Sequence, residues 1–149
     1  MLAIASDHAA QDLKNQILAY VRELGYDITD ESGEAAAATE YPIIAERTAH
    51  KVAAGIYDRA FLICGTGIGM SLAANKVPGI RAACCSEPYT AMLSRQHNDC
   101  QILCFGARVV GSELAKLIVK AFLEAEFQGG RHQRRVDLIT QIEAGSTPQ

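Results

Sequence analysis

The run Phe61-Leu62-Ile63-Cys64-Gly65-Thr66-Gly67-Ile68-Gly69 joins an apolar segment to a glycine-rich turn, and Met70-Ser71-Leu72-Ala73-Ala74-Asn75-Lys76 follows it. The apolar segment predicts a buried strand that ends at Cys64, and the segment after the turn predicts a helix. Three glycines let the backbone come close to a ligand, and amides at a helix N-terminus point towards negative charge. The run therefore predicts a site for an anionic ligand, beside a thiol that can act as a base or nucleophile. The alternative is that Cys64 is one more small apolar residue at the end of a core strand.

On either side of this run, apolar segments typical of strands alternate with helical patterns. The candidate strands are 2–6, 26–29, 60–64, 81–85 and 102–105, and the candidate helices are 11–24, 42–54, 70–75, 88–97 and 112–127. Continuous apolar character indicates strands that are buried on both faces. We therefore expect a three-layer α/β fold: a doubly wound, parallel, five-stranded, Rossmann-like sheet with strand order 2-1-3-4-5, and a C-terminal helical tail. Ligands of such sheets bind where the strand order reverses, which here brings Asp7 and His8 next to Cys64.

Composition limits the class of protein. The chain has 149 residues, 49% hydrophobic side chains and a net charge of -3, which predicts one globular domain over residues 1–149. No apolar stretch approaches the ~20 residues of a membrane helix, and the first residues are too short for a signal peptide, so we expect a cytoplasmic protein with no membrane partner. Five cysteines without a Cys-x-x-Cys pair predict reduced thiols and no cysteine-bound metal. Mild acidity argues against a nucleic-acid partner, although residues 131–135 form a local basic cluster.

The turns after the first and third strands do not match a nucleotide-binding protein. Ser6-Asp7-His8-Ala9-Ala10 has no glycine, where a dinucleotide fold carries Gly-x-Gly-x-x-Gly. In the third turn the glycines are two residues apart throughout, and the lysine of a P-loop is missing. A small phosphorylated or anionic ligand fits this turn better than NAD or ATP, so no cofactor is expected.

Further polar side chains are candidates for the same site. His8 follows Asp7 at a strand end, where a buried polar pair is costly unless it is satisfied or used. His97 lies in a polar helix end, which is also typical of an ordinary exposed terminus. Arg131 and Arg135 are four residues apart, so in a helix they share a face that suits a phosphate dianion. The alternative for this tail is a solvated helix start, and its apolar positions 136, 139 and 142 give it a surface for docking, including on another subunit.

A series of short fragments occurs in order along nearly the whole chain. They are Ser6-Asp7-His8-Ala9, Glu40-Tyr41-Pro42, Cys64-Gly65-Thr66-Gly67-Ile68-Gly69, Ala73-Ala74-Asn75-Lys76, Gly79-Ile80-Arg81-Ala82, Ser94-Arg95-Gln96-His97-Asn98 and Gly130-Arg131-His132-Gln133-Arg134-Arg135. Together they resemble the type B ribose-5-phosphate isomerase family, which also contains the galactose- and allose-6-phosphate isomerases. The resemblance implies a metal-independent aldose–ketose isomerase that interconverts ribose 5-phosphate and ribulose 5-phosphate through a cis-enediolate. It also implies a homodimer with sites that combine residues of two chains. Pairing of dimers into a tetramer is left open, and we expect the tail at 129–149 to dock at the dimer interface.

The resemblance implies a role for each site residue. Cys64 takes the proton from C2 and returns it at C1, and Thr66 holds the thiol. The resemblance also implies that backbone amides form an anion hole for the enediolate; these are the amides of Gly65, Gly67, Ile68, Gly69 and Ser71. His97 opens the furanose ring with Asp7 as its partner. Asn98 and Tyr41 are implied to bind sugar hydroxyls or oxygens of the intermediate. The residues implied to bind the phosphate are His8, Arg108, Arg131 and Arg135.

Two departures from the family pattern leave alternatives open. Some relatives carry a catalytic glutamate where this chain has Met70, which cannot accept a proton, so Cys64 is the base that remains. Glu40 ends the segment 31–40 and stands where many relatives carry aspartate, so a hexose 6-phosphate is an alternative substrate. Other classes are a non-catalytic phosphosugar-binding module, a thiol redox protein in which Cys64 has a resolving cysteine, and a nucleic-acid binder that uses the basic tail.

Overall fold

Strands and helices alternate along the chain in a computed structural model, which describes residues 1–33 and 39–146. The strands are β1 (Leu2–Ser6), β2 (Ile28–Asp30), β3 (Arg59–Cys64), β4 (Ala82–Cys84) and β5 (Ile102–Gly106). The helices are α1 (Gln11–Glu23), α2 (Tyr41–Ala53), α3 (Ile68–Ala74), α4 (Pro88–Asn98), α5 (Ser112–Glu124) and α6 (Arg131–Glu143), and a short 3-10 turn spans His8–Ala10. Every predicted strand and helix is present, with ends shifted by a few residues. None of the helices in the described ranges is long and apolar enough to cross a bilayer.

The five strands form one parallel sheet in the order β2-β1-β3-β5-β4. The predicted three-layer, doubly wound α/β fold is confirmed, but the predicted order 2-1-3-4-5 is wrong for the last two strands. Ile17 of α1, Ala91 of α4 and Phe122 of α5 share one buried cluster, whereas Ile44 of α2 and Met70 of α3 belong to the other. Helix α4 covers the same face of the sheet as α1. A right-handed crossover through α4 therefore leads from β4 back towards β3, so β5 lies between β3 and β4.

The central strands are buried on both faces. Along β3, Phe61 and Ile63 pack under α1, α4 and α5, while Leu62 and Cys64 pack under α2 and α3. The ring of Phe61 meets that of Phe122 edge to face, with centroids 5.9 Å apart. Burial of each such side chain contributes about 1.5–3 kcal/mol. This double burial explains the continuous apolar pattern of β3 and holds the end of the strand rigidly.

The sheet has two distinct edges, because all its strands are parallel and point the same way. We call the end where the strands finish the carboxyl edge and the opposite end the amino edge. The end of α4 lies at the amino edge, where the Ala60 N–H at the start of β3 donates to the Gln101 carbonyl (3.0 Å). Helix α6 also lies at the amino edge, since the Gly79 N–H donates to a carboxylate oxygen of Glu143 (2.9 Å). Candidate site residues are therefore divided between the two edges.

Candidate active site

Cys64 ends β3 at the carboxyl edge, between β1 and β5. In the sheet register Ser6 lies opposite Ile63, and Cys64 lies opposite Gly106. The Asp7 N–H donates to the Ile63 carbonyl (3.3 Å). The reversal of strand order thus brings the first βα turn beside the thiol, in the crevice where α/β sheets bind ligands.

The glycine loop after Cys64 rests directly on the end of β5. Gly67 has a left-handed backbone (φ +80°), and a Cβ there would lie 2.7 Å from the Cα of Phe105. A Cβ on Gly106 would lie 2.5 Å from the Cα of Thr66. Both positions therefore require glycine. Gly106 is not among the site residues predicted from the sequence, where its signal is that a glycine ends the last apolar strand.

The thiol of Cys64 receives a hydrogen bond from the protein backbone. The side chain is 5% exposed, and the Gly67 N–H donates to its Sγ at 3.1 Å. A donor aimed at sulfur stabilises the negative charge of a thiolate, which is the form that acts as a base. The hydroxyl of Thr66 accepts instead from the Ile68 N–H (3.2 Å), so it shapes the turn. Its implied role in holding the thiol stays a prediction.

The other four cysteines are also free thiols. Burial raises the pKa of Cys84 and Cys85, raises that of Cys100 to about 11, and raises that of Cys104 well above its usual range. These thiols are therefore protonated at neutral pH.

Sheet geometry also keeps the other thiols away from Cys64. Cys104 lies opposite Leu62, so its Cα is about 8 Å from that of Cys64 at ordinary strand spacing. Disulfides need Cα atoms within about 7 Å. Cys84 is paired with Cys104 on the next strand, and its thiol donates to the Thr66 carbonyl (3.6 Å), while Cys85 and Cys100 belong to the core of the opposite face. The fold thus gives Cys64 no resolving cysteine, which argues against the redox alternative.

Tyr41 and Arg108 lie against the glycine loop. A Cβ on Gly69 would be 2.5 Å from Cε2 and 2.8 Å from the hydroxyl oxygen of Tyr41, so the phenol ring lies directly on that glycine. The guanidinium of Arg108 lies over Gly65, and the backbone N–H of Arg108 donates to the Gly65 carbonyl (3.0 Å). The first residue of α2 and the segment after β5 thereby place a hydroxyl and a cation at the loop.

The first βα turn completes the carboxyl edge. The carboxylate of Asp7 accepts from the Ala9 N–H (3.0 Å) and caps the 3-10 turn, while His8 is exposed at the start of that turn. The structure therefore gathers Asp7, His8, Tyr41, Cys64 and Arg108 around one loop.

Several amides of the implied anion hole already have partners. The Gly67 and Ile68 N–H groups donate to Cys64 Sγ and Thr66 Oγ1, and the Ser71 N–H donates to the Gly67 carbonyl (3.1 Å). The Ser71 hydroxyl donates to the Ile68 carbonyl (2.7 Å). Gly69 lies in the first turn of α3, where a helix supplies no carbonyl for the N–H groups. Gly69 is thus better placed to bind an oxyanion than Ser71.

A second group of candidate residues lies at the amino edge. Asp99 follows α4 in a left-handed conformation (φ 47°), and its carboxylate pairs with Arg81 (3.3 Å) and Arg95 (2.8 Å). The Asn98 carbonyl accepts from Arg81 Nε (2.8 Å). These contacts hold the last turn of α4, which carries His97 and Asn98.

The first turns of α6 lie beside that helix end. The imidazole of His132 is stacked on that of His97, with ring centroids 4.1 Å apart and an angle of 6° between the planes. Arg131 and Arg135 flank His132 in sequence, and both side chains are exposed. His132 was assigned only to the basic tail from the sequence, and no local pattern marks its contact with α4.

One chain does not bring the two groups together. Ala60, bonded to Gln101 near the end of α4, is four residues before Cys64, which is about 13 Å along a strand. Asp7 and His97 therefore do not meet within one chain, and their implied partnership stays a prediction for two chains. The same separation divides His8 and Arg108 from the arginines of α6.

Two further features concern the predicted site. In residues 1–33 and 39–146, no three His, Cys, Asp or Glu side chains are grouped so that they could hold a metal ion. Residues 34–38 of the segment before Tyr41, which bear on the predicted sugar preference, lie outside the described residues.

Fold and site together are those of an α/β protein that carries a glycine-rich loop and a thiol at the switch point of its parallel sheet, where such folds bind ligands. The model of the Ribose/Galactose Isomerase family matches residues 2–139, and the chain belongs to this family. It is 53% identical over 142 residues to ribose-5-phosphate isomerase B of Escherichia coli K12, covering 95% of both chains. It is 46% identical over 139 residues to D-erythrulose-4-phosphate isomerase of Pectobacterium atrosepticum, covering 93% of this chain and 91% of that one. The structure of Clostridium thermocellum ribose-5-phosphate isomerase B superposes with a TM-score of 0.92 at 47% identity, covering 97% of each chain.

Proposed function

We propose that this isomerase interconverts D-ribose 5-phosphate and D-ribulose 5-phosphate through a cis-enediolate, with Cys64 as the base. The observation that carries the proposal is the hydrogen bond from the Gly67 N–H to Cys64 Sγ (3.1 Å), at the crevice between β1 and β3. The 53% identity to an enzyme named ribose-5-phosphate isomerase B supports the choice of substrate.

The isomerisation moves one hydrogen from C2 to C1. In the open-chain aldose the C1 carbonyl acidifies the C2–H bond, and the Cys64 thiolate takes that proton while the C–H electrons form the C1–C2 double bond and charge develops on the C1 oxygen. The thiol then returns the proton to C1 as the C2 carbonyl forms, and the proton of the C2 hydroxyl passes to the C1 oxygen, which becomes the hydroxyl of the ketose. The Gly69 N–H and the Tyr41 hydroxyl lie at the loop where these oxygens would sit. Donors held in place before the charge develops usually supply the largest part of such catalysis.

We further propose that each complete site forms between two chains. Ring opening by His97, sugar binding by Asn98, and phosphate binding by His8, Arg108, Arg131 and Arg135 require both edges of the sheet. A dimer with twofold symmetry joins the carboxyl edge of one chain to the amino edge of its partner twice, and so makes two equal sites. The exposed side chains of Ile139 (45%) and Ile142 (62%) on α6 support docking of the tail at such an interface. Pairing of dimers into a tetramer stays an open prediction.

The partners and setting follow from the same chemistry. The thiolate and the loop amides supply the base and the charge stabilisation that the reaction needs, so we propose that no metal or cofactor takes part. The basic residues of α6 are assigned to the substrate phosphate rather than to nucleic acid. Free thiols at all five cysteines are typical of a reducing compartment, and the cytoplasm stays the predicted location.

A hexose-6-phosphate isomerase and a non-catalytic phosphosugar-binding module are the alternatives. A binding module would keep the arginines but would not need a hydrogen-bonded thiol at the loop. Turnover of ribose 5-phosphate, allose 6-phosphate, galactose 6-phosphate and erythrose 4-phosphate by the purified chain separates these possibilities. We expect the highest kcat/KM with ribose 5-phosphate, and a higher value with a hexose phosphate would overturn the choice of sugar.

Cys64→Ser tests the role of the base. A serine hydroxyl is far too weak an acid to form the base at neutral pH, so turnover should fall by at least ~10²-fold while ribose 5-phosphate still binds in calorimetric titration. Cys84→Ser is the matched control, because Cys84 is an exposed thiol and its weak hydrogen bond to the Thr66 carbonyl (3.6 Å) is one that a serine hydroxyl can keep. We expect it to keep wild-type turnover. Substantial turnover by Cys64→Ser would assign the base to another group.

A further inference from the structure

His132 is held against His97 by the backbone around it. Its side chain is only 6% exposed, and its N–H donates to the Gly129 carbonyl (3.0 Å). Gly129 and Gly130 both have positive φ (61° and 55°), which makes the turn into α6 tight. The Gln128 N–H donates to the Gln96 carbonyl (3.0 Å), tying this turn to α4 one residue before His97. Both helices therefore meet where the two imidazoles stack.

The surroundings of His132 favour the neutral form of its ring. Burial lowers the pKa of His132, and the nearby charges of His97, Arg131 and Arg135 lower it further. Two imidazolium rings 4.1 Å apart would repel each other, whereas a neutral ring offers a flat surface on which a neutral or a protonated ring can rest. The contact covers one face of His97 and leaves the ring edge, which carries both nitrogens, out of the stack. His97 can thus exchange a proton while its orientation is held.

We propose that His132 is a positioning residue that holds the imidazole of His97 in the orientation needed for ring opening. The inference rests on the proposed role of His97. Arg131 and Arg135 belong to the same first two turns of α6, so the helix that presents the arginines for the phosphate also supports the ring-opening group. His97, by contrast, lies in the last turn of α4 and is half-buried.

Ring opening can be separated from the proton transfer at carbon. In the furanose the C1–O4 bond breaks, the C1 hydroxyl loses its proton and O4 gains one, so a single histidine can exchange both protons. Ribulose 5-phosphate cannot close a furanose, because its 5-oxygen carries the phosphate, and it reaches Cys64 already open. Exchange of its C1 proton with deuterated water therefore reports on the base alone, while turnover of ribose 5-phosphate also needs the ring to open.

The test compares three substitutions at position 132 in the full-length enzyme. His132→Ala should lower ribose 5-phosphate turnover by roughly 10- to 100-fold, since a misplacement of about 1 Å can cost 10²-fold, and should change C1 exchange in ribulose 5-phosphate by less than about twofold. His132→Phe keeps a flat ring and should restore most of the turnover. His132→Gln keeps a polar group without a ring and should stay low. Gln133→Ala, an exposed neighbour on α6, is the matched control and should leave both rates unchanged.

Two results would overturn the inference. Equal losses in turnover and in C1 exchange for His132→Ala would mean that the residue only holds the fold or the dimer together. If His132→Ala does not fold, the comparison of Phe with Gln still decides, and equal turnover of these two would exclude a role for the ring. His97→Asn is measured alongside: if it lowers C1 exchange as much as turnover, the proposed role of His97 itself fails. If His97→Asn separates the two rates and His132→Ala does not, only the inference about His132 fails.

Discussion

Gly69→Ala should make the protein slightly more stable and much less active. Gly69 is the second residue of α3, and alanine is favoured over glycine by up to about 1 kcal/mol in a helix interior and by less in the first turn. The new Cβ would lie 2.5 Å from Cε2 of Tyr41, however. Carbon atoms in contact need about 3.5–4.0 Å, so the phenol must move by roughly 1–1.5 Å. It can do so without cost to the core, because Tyr41 is 39% exposed.

The consequence for catalysis follows from the position of the phenol on the loop. A displacement of about 1 Å at a group that binds substrate costs up to about 10²-fold in kcat/KM. The assay pairs turnover of ribose 5-phosphate with urea unfolding followed by circular dichroism. We expect activity to fall by roughly 10- to 100-fold while the free energy of unfolding stays level or rises.

A double-mutant cycle identifies Tyr41 as the cause. In a Tyr41→Ala background the ring is gone, so Gly69→Ala should reduce activity by no more than about twofold further. Losses that multiply in the double variant would refute the reasoning, since they would mean that the added methyl group disturbs the loop itself. A lower free energy of unfolding for Gly69→Ala alone would refute the helix argument.

Three further outcomes are expected. Gly67→Ala forces a left-handed backbone on alanine and a contact of 2.7 Å with Phe105, and should lower the free energy of unfolding in urea by at least about 2 kcal/mol; an unchanged midpoint would contradict this. Burial raises the pKa of Asp30, but hydrogen bonds from Lys14 and Ser32 outweigh it and hold that pKa below 3.8. The stabilisation is therefore present above about pH 4 and is lost as pH falls through the folded-state pKa, so the stability difference between wild type and Asp30→Asn should vanish in acid, and a constant difference would count against it. Arg135→Ala should lower kcat/KM for ribose 5-phosphate by on the order of 10- to 100-fold, with partial recovery in Arg135→Lys and little change for unphosphorylated ribose; equal losses for both sugars would make α6 structural.

The fold was largely predictable because its signals are local. Continuous apolar runs mark strands buried on both faces, and the strand order reverses between β1 and β3 as expected. The exchange of β4 and β5 was not predictable from these runs, because it depends on which face of the sheet α4 covers. The lengths and burial of the two strands agree with the observed order. Strand β4 has only three residues, which is typical of a sheet edge, while all five residues of β5 are buried.

The candidate site was predictable where adjacent residues form it. The glycine spacing and the strand-end thiol lie in one run, so Cys64 and its loop could be singled out. Gly106 could not, since its need for glycine arises from the register of β5 against β3. His132 could not either, because the stack joins residues 35 positions apart and depends on how α6 packs on α4. The division of the site between two edges follows from helix direction, which becomes visible only with the sheet.

Mixing two inactive variants tests the central claim, that each site takes Cys64 from one chain and His97 from another. Cys64→Ser and His97→Asn are purified separately, then unfolded together and refolded as an equal mixture. In a mixed dimer, one site combines the intact Cys64 of one chain with the intact His97 of the other, while the second site lacks both. Random pairing makes half of the dimers mixed, so ribose 5-phosphate turnover should return to about one quarter of the wild-type value. Activity that stays at the level of the separate variants, in a mixture shown to contain mixed dimers, would contradict the claim.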